Sequence, residues 1–189
     1  AGFFCRPFHV KHPETQTNFF QGWHLGETIY RGIRKDYPSE KLVHQWWEKY
    51  PNGAFGLYDF KDKLWGYFSI WPISREVFEQ LKSGNLTEEV LLESNLIEAE
   101  GKGPFHYWYV ADIGRVKRPH GAPPEFSIYL ADFLICEAFE LLLHESDFPD
   151  SPDSIELIAF AVTTPGKKLL EKYGFCKVEP EGRPLNTAT

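Results

Sequence analysis

Residues 105–126 read "FHYWYVADIGRVKRPHGAPPEF", and the fold turns on how this stretch is divided. Its first part, FHYWYVADI, is a run of aromatic and β-branched residues suited to a central strand. The last residue opens "FSIYLADFLICEAFELLLHE" (126–145), composed almost wholly of good helix formers and apolar on most sides, which predicts a buried helix. Between them lies a loop with Arg115, Lys117, Arg118 and His120 around Gly121, Ala122 and three prolines. A helix start has unpaired N–H groups and a partial positive charge, so such a loop can cradle an anion, with Gly121 and Ala122 letting it approach the backbone. The alternative is a plain turn, its basic residues solvated and its prolines enforcing the bend.

Downstream, "IELIAFAV" (155–162) reads as a buried strand, "PGKKLLEKY" (165–173) as a short helix with proline in its first turn, and "GFCKVEP" (174–180) as a last strand. Strand, loop, helix and strand from 105 to 162 form a crossover unit, so its two strands should be parallel neighbours in a mixed sheet. Upstream, "FFCRPFHV" (3–10) suits an edge strand because of Pro7. Helical spacing from Asn18 to Tyr50 is divided by Pro38, with Ser39 a candidate cap for the second helix. "AFGLYDF" and "KLWGYFSIW" flank a turn and predict a hairpin, and "SREVFEQLKSG" and "TEEVLLESNLI" predict two short helices. No repeat or linker interrupts the order, which predicts a single domain over 1–189.

The 189 residues are 42% hydrophobic and 25% charged, as in ordinary globular proteins, but 16 Phe, 9 Tyr and 6 Trp make the chain unusually aromatic. Trp46, Trp47, Trp65, Trp71 and Trp108 could line a groove for an amine by cation–π contact, or could simply be core. A net charge of -7 and a pI of about 5.5 oppose broad phosphate neutralisation, so nucleic acid is not an expected partner. The same acidity either steers a cationic substrate or merely confers solubility. Three cysteines without C-x-x-C spacing suggest neither a disulfide framework nor a thiolate zinc site, and no histidine pair marks a metal helix. No metal is expected. With no apolar run near the ~20 residues of a membrane span, no membrane partner and a cytoplasmic location are expected. Neither a phosphate-loop signature nor G-x-S-x-G occurs, so nucleotide hydrolysis and a serine hydrolase have no support.

"YVADIGRVKRPHGAP" (109–123), a long helix, an apolar strand and "TTPGKKLLEKYGF" (163–175), in this order, resemble the GNAT superfamily of N-acyltransferases. The family loop Arg/Gln-x-x-Gly-x-Gly/Ala, which holds the pyrophosphate of coenzyme A, is matched by Arg118 and Gly121 and departs at Pro123. The likeness is good over about 105–178 and upstream rests on element order. It implies an α+β fold, a mixed, mostly antiparallel twisted sheet of six or seven strands flanked by helices, with a parallel splayed pair in the middle. It also implies acetyl-CoA or another acyl-CoA as co-substrate and a small-molecule or peptidic amine as acceptor. A homodimer is compatible with it.

On this resemblance the cofactor arm would bond to main-chain groups of Ile113, Gly114 and Arg115, and its pyrophosphate to the segment Arg118, Pro119, His120, Gly121 and Ala122. Thr163 and Lys167 would stand near it at the next helix start. The acceptor would enter from the opposite side, along the early helices and the hairpin. Asp112 is the nearest carboxylate for a general base, with His106 as an alternative, while Glu125 suits the helix dipole. The family's usual acid is a tyrosine at the position of Leu170, and its common asparagine is Thr163 here. Tyr173, three residues on and roughly 300° around the helix, is the substitute candidate acid or else a packed aromatic. The implied activity is N-acyl transfer, most simply N-acetyl transfer, by direct attack. The alternatives are a catalytically impaired GNAT-like binding module, prompted by Leu170 and Pro123, and an unrelated α/β domain.

Overall fold

The computed structural model describes residues 3–8, 13–33, 37–93, 105–117, 125–145 and 155–178. Their elements follow the order β1 (Phe3–Pro7), α1 (Pro13–Tyr30), α2 (Glu40–Lys49), β2 (Ala54–Asp59), β3 (Leu64–Pro72), α3 (Arg75–Ser83), α4 (Glu88–Glu93), β4 (Tyr107–Arg115), α5 (Glu125–Glu145), β5 (Glu156–Ala159) and α6 (Thr164–Lys172). The helix limits follow local chemistry. Ser39, Ser74 and Thr163 each accept a bond from a free backbone N–H at their helix start, from Leu42, Val77 and Gly166 respectively. Gly84 and Gly174 end α3 and α6 in the left-handed region, at φ 77° and 83°. The hairpin turn is clamped by Asp59, whose carboxylate accepts from the Lys61 and Lys63 amides and from Trp65 Nε1.

The strands form one mixed sheet in the order β1-β2-β3-β4-β5, antiparallel except for the β4–β5 pair. β1, carrying Pro7, is an edge strand, where a missing donor is tolerated. Five strands are seen among the described residues, against the expected six or seven, and the parallel pair holds one side of the sheet. The segment expected as a last strand joins no sheet over 175–178. Instead, the Phe175 amide bonds back to the Leu170 carbonyl at 3.1 Å, tying this stretch to the end of α6.

Two irregularities set up the site. In the β3–β4 pairing, Ser69 faces Asp112 but Ile70 faces Val110, so Ala111 is an extra residue, a bulge. β4 and β5 pair only from Tyr107↔Glu156 to Val110↔Ala159, after which five residues of β4 continue without β5 beside them. The predicted strand over 155–162 is therefore shorter than its apolar run, because the chain leaves the sheet at Phe160 and turns into the capped start of α6.

The core is aromatic, with Trp46, Trp47, Trp71, Trp108, Tyr58 and Tyr109 fully buried. The long helix is less buried than its composition suggests. Leu130, Leu134, Ile135 and Leu142 are buried, whereas Cys136 and Leu143 are exposed, because the sheet covers only one side of α5.

Candidate functional site

Alternation along β3 separates two cavities. Tyr67, Ser69 and Trp71 line one and Phe68 and Ile70 the other, so they lie on opposite faces of the sheet. β4 contributes to both, close to where β5 departs: Ala111 and Asp112 to the first, Val110 and Ile113 to the second. Two successive residues reach one cavity because the bulge at Ala111 breaks the alternation.

The first cavity, about 40 Å³, lies among α1, the lead into α2, and the hairpin. Phe8, Trp23, Tyr37, Trp46, Tyr67 and Trp71 supply aromatic walls, and Asp112 is its carboxylate. Asp112 is 9% exposed, and its Oδ2 accepts hydrogen bonds from Tyr37 Oη at 3.2 Å and from Tyr67 Oη. Burial, and then the adjoining Asp112 charge, push the Tyr67 phenol well above its ordinary range, so it remains a donor. α1 comes close enough to set both hydroxyls only because residue 26 is glycine. A Cβ there would collide with Tyr37 Oη and Tyr67 Oη.

The second cavity, about 30 Å³, lies between the sheet, α5 and α6, and its wall presents no polar surface. Ile113, Ile135, Phe139, Leu142, Leu157, Leu169, Leu170 and Phe175 are among its lining residues. Tyr173 Oη donates to Asp132 Oδ1 at 2.6 Å, and Lys172 Nζ reaches the same oxygen at 2.6 Å. The bonds from Lys172 and Tyr173 hold Asp132 below its ordinary range. Burial first, and then Asp132, push Tyr173 up to about 12. An ordinary thiol titrates near about 8.5, so a proton passing from this phenol to a thiolate moves uphill while Asp132 holds it.

Asp112 and Tyr173, the two candidate catalytic groups, thus belong to different cavities on opposite faces of β4's sheet. Ile113 lines the apolar cavity, Gly114 is buried against the Tyr67 ring, and Arg115 Nη1 donates to the Val116 carbonyl at 3.4 Å. Thr163 is occupied as the α6 cap, and Lys167 pairs with Glu171 at 3.8 Å in solvent. His106 is exposed. Arg118, Pro119, His120, Gly121, Ala122 and Pro123 lie outside the described residues.

Of the five tryptophans considered for an amine groove, Trp46 and Trp71 line the aromatic cavity. Trp65 bonds the hairpin clamp Asp59, Trp108 packs on Tyr50 and Phe105, and Trp47 packs on His44. Sequence reasoning missed Tyr37, Tyr67 and Asp132. Their partners lie 75, 45 and 41 residues away along the chain, a separation that no local pattern spans. Among the described residues no group of side chains could hold a metal ion, and no helix is long and apolar enough to cross a membrane.

No protein-family profile and no curated protein matches the chain. Solved structures do. The loading GNATL domain of CurA from Lyngbya majuscula is 15% identical with a TM-score of 0.50, the match covering 84% of this chain and 64% of that one. This chain therefore spans less than two thirds of that domain's length. The C-terminal condensation domain of Ebony in complex with beta-alanyl-dopamine is 12% identical with a TM-score of 0.55, covering 92% and 82%. A chain of the NatC complex bound to Gag peptide and CoA is 9% identical with a TM-score of 0.50, covering 95% and 87%. The shared property is the fold: a mixed sheet flanked by helices with a parallel β4–β5 pair, the GNAT fold.

Proposed function

We propose, taking the GNAT fold as the premise, that the chain is an acyl-CoA-dependent N-acyltransferase, most simply an acetyltransferase, that acts on a primary amine. The observation carrying this reading is the end of strand pairing at Val110↔Ala159. Beyond it β4 presents main-chain donors and acceptors to a gap, where an extended amide-bearing arm can bond as a strand would. The residues fit such an arm. The gap adjoins an apolar cavity on the α5 side and an aromatic cavity bearing a carboxylate on the other. The basic segment 115–121 precedes α5 in the sequence, and a helix start favours a diphosphate.

Acyl-CoA supplies the thioester, and this chain's residues then manage two protons. Asp112 takes one from the ammonium of the acceptor, freeing the nitrogen lone pair for the thioester carbon. The C–N bond forms, the C–S bond breaks, the second nitrogen proton passes to solvent, and the departing thiolate is protonated. Tyr173 is the candidate donor to sulfur and is restored from solvent. Its hold by Asp132, together with Leu170 at the position where the family has its tyrosine, favours a second reading, a GNAT-fold binding module without turnover.

Calorimetry with acetyl-CoA, followed by a thiol-release assay over a panel of amines, tests both. Saturable binding with turnover is expected. Binding without turnover on any amine establishes the module, and no binding removes both readings.

A further inference from the structure

The apolar cavity sets the length of the acyl group. We infer that the donor's acyl tail is roughly one or two methylenes longer than acetyl, a propionyl or butyryl group, and that Leu170 determines this choice. The inference rests on the transferase reading for how the donor lies along β4.

The cavity stands where the thioester would come to rest. Val110, the last β4 residue paired with β5, lines it, and so does Ile113 on the stretch beyond. The basic segment begins at Arg115, the other end of β4, so an arm anchored there and bonded along the strand brings its sulfur back toward Val110. An amine attacking from the side of α1 leaves the opposite face of the sheet for the tail, and that face holds this cavity.

Its walls suit hydrocarbon. Tyr173 lines the cavity, but its hydroxyl is bonded to Asp132 at 2.6 Å, and the cavity presents no polar surface. Such a space stays dry, so a methylene entering it displaces no ordered water and supplies the dispersion contacts that the walls lack. A carboxylate or hydroxyl would give up its hydration with no partner to meet it. Size limits the length: the space of about 30 Å³ exceeds the roughly 10–15 Å³ that one water-sized group needs, and admits about two such groups.

Leu170 lines this space from a fixed position. Its carbonyl accepts from the amides of Tyr173 and Phe175, both at 3.1 Å, and Gly174 between them is left-handed at φ 83°, so backbone bonds pin the end of α6. Across the cavity Phe139 packs on the Tyr173 ring at 6.4 Å and braces α5 against α6. In a wall held this way a larger side chain at 170 fills the space and a smaller one extends it.

The test is calorimetry of the full chain, without amine, against CoA and its acetyl, propionyl, butyryl, hexanoyl and succinyl thioesters. Butyryl-CoA should bind at least about tenfold more tightly than acetyl-CoA, with propionyl-CoA between them, since one methylene in an apolar pocket changes preference by about tenfold or more. Hexanoyl-CoA should fall below butyryl-CoA. Succinyl-CoA, of butyryl length but ending in a carboxylate, should bind no better than acetyl-CoA. Leu170→Phe should erase the butyryl advantage while leaving affinity for CoA unchanged, and Leu170→Ala should move the optimum to hexanoyl-CoA. Equal binding of the acetyl and butyryl thioesters, or succinyl-CoA matching butyryl-CoA, overturns the inference without recourse to any variant and leaves the transferase reading intact. A butyryl optimum unchanged in both folded variants overturns the role of Leu170. A butyryl preference with no transfer to any amine supports the pocket and sinks the transferase reading. No binding of any thioester overturns both.

Discussion

Val110 and Ala159 are the last pair joining β4 to β5, and both candidate cavities have lining residues within three positions of Val110 on β4. Both faces of the sheet thus carry cavity-lining residues of β4 beside the point where its pairing with β5 ends.

Charge reversal at the basic segment should weaken the cofactor. Arg118→Glu places an anion beside the expected pyrophosphate and should raise the dissociation constant for acetyl-CoA about tenfold or more at low salt, with the effect shrinking as salt is added. Calorimetry at two ionic strengths measures it, and an unchanged constant would remove Arg118 from the site.

Tyr173→Phe removes the hydroxyl but keeps the ring that lines the apolar cavity. If that hydroxyl protonates sulfur, turnover should fall about a hundredfold with little change in the KM for acyl-CoA. Asp132→Asn should lower the Tyr173 pKa from about 12, since the charge and bond that help hold the proton are gone. Tyrosinate absorbance against pH reads that shift directly.

Gly26→Ala is a steric probe of the Asp112 cluster. Its Cβ would displace the Tyr37 and Tyr67 hydroxyls, so amine binding should weaken markedly, with a loss of folding stability of about 1–3 kcal/mol as buried polar groups lose partners. Affinity for acetyl-CoA, proposed to rest mainly on the basic segment before α5, should change less than affinity for the amine.

Stability should fall at both ends of the pH range, for opposite reasons. The folded pKa of Tyr173 is raised to about 12 from an ordinary value of about 10, so its contribution is complete below pH about 10 and is lost as pH rises through about 12. Asp59 and Asp132 are depressed by Trp65 and by Lys172 with Tyr173 respectively, so their contributions are complete above the ordinary aspartate value, about 3.9, and vanish as pH falls through the lower folded values. Thermal melts of Asp59→Ala and Asp132→Ala against the parent should therefore converge with it in acid.

The cysteines should divide into two classes. Cys136 and Cys176 are exposed, while burial first, and then Glu137, push the Cys5 thiol far above its ordinary range. Titration with a disulfide reagent under native conditions should show two fast thiols and one slow one, with all three becoming fast on unfolding.

Local pattern was enough for much of this molecule. The helix breaks at Pro38 and Gly84, the caps at Ser39 and Ser74, the hairpin and the parallel crossover could all be read from the chain, because each depends on backbone chemistry within a few residues or on connection handedness. The place of Asp112 on the strand beside the gap was legible for the same reason. What surrounds it was not. Tyr67 and Tyr37 reach Asp112 only after α1 is laid over β3, Asp132 reaches Tyr173 only after α5 packs beside α6, and Ala111 turns with Asp112 only because the two strands pair with one residue to spare. Side-chain partnerships of this kind depend on how layers are stacked, and residue order along the chain does not encode them at short range. The tertiary structure decided which aromatic residues became a cavity and which became core.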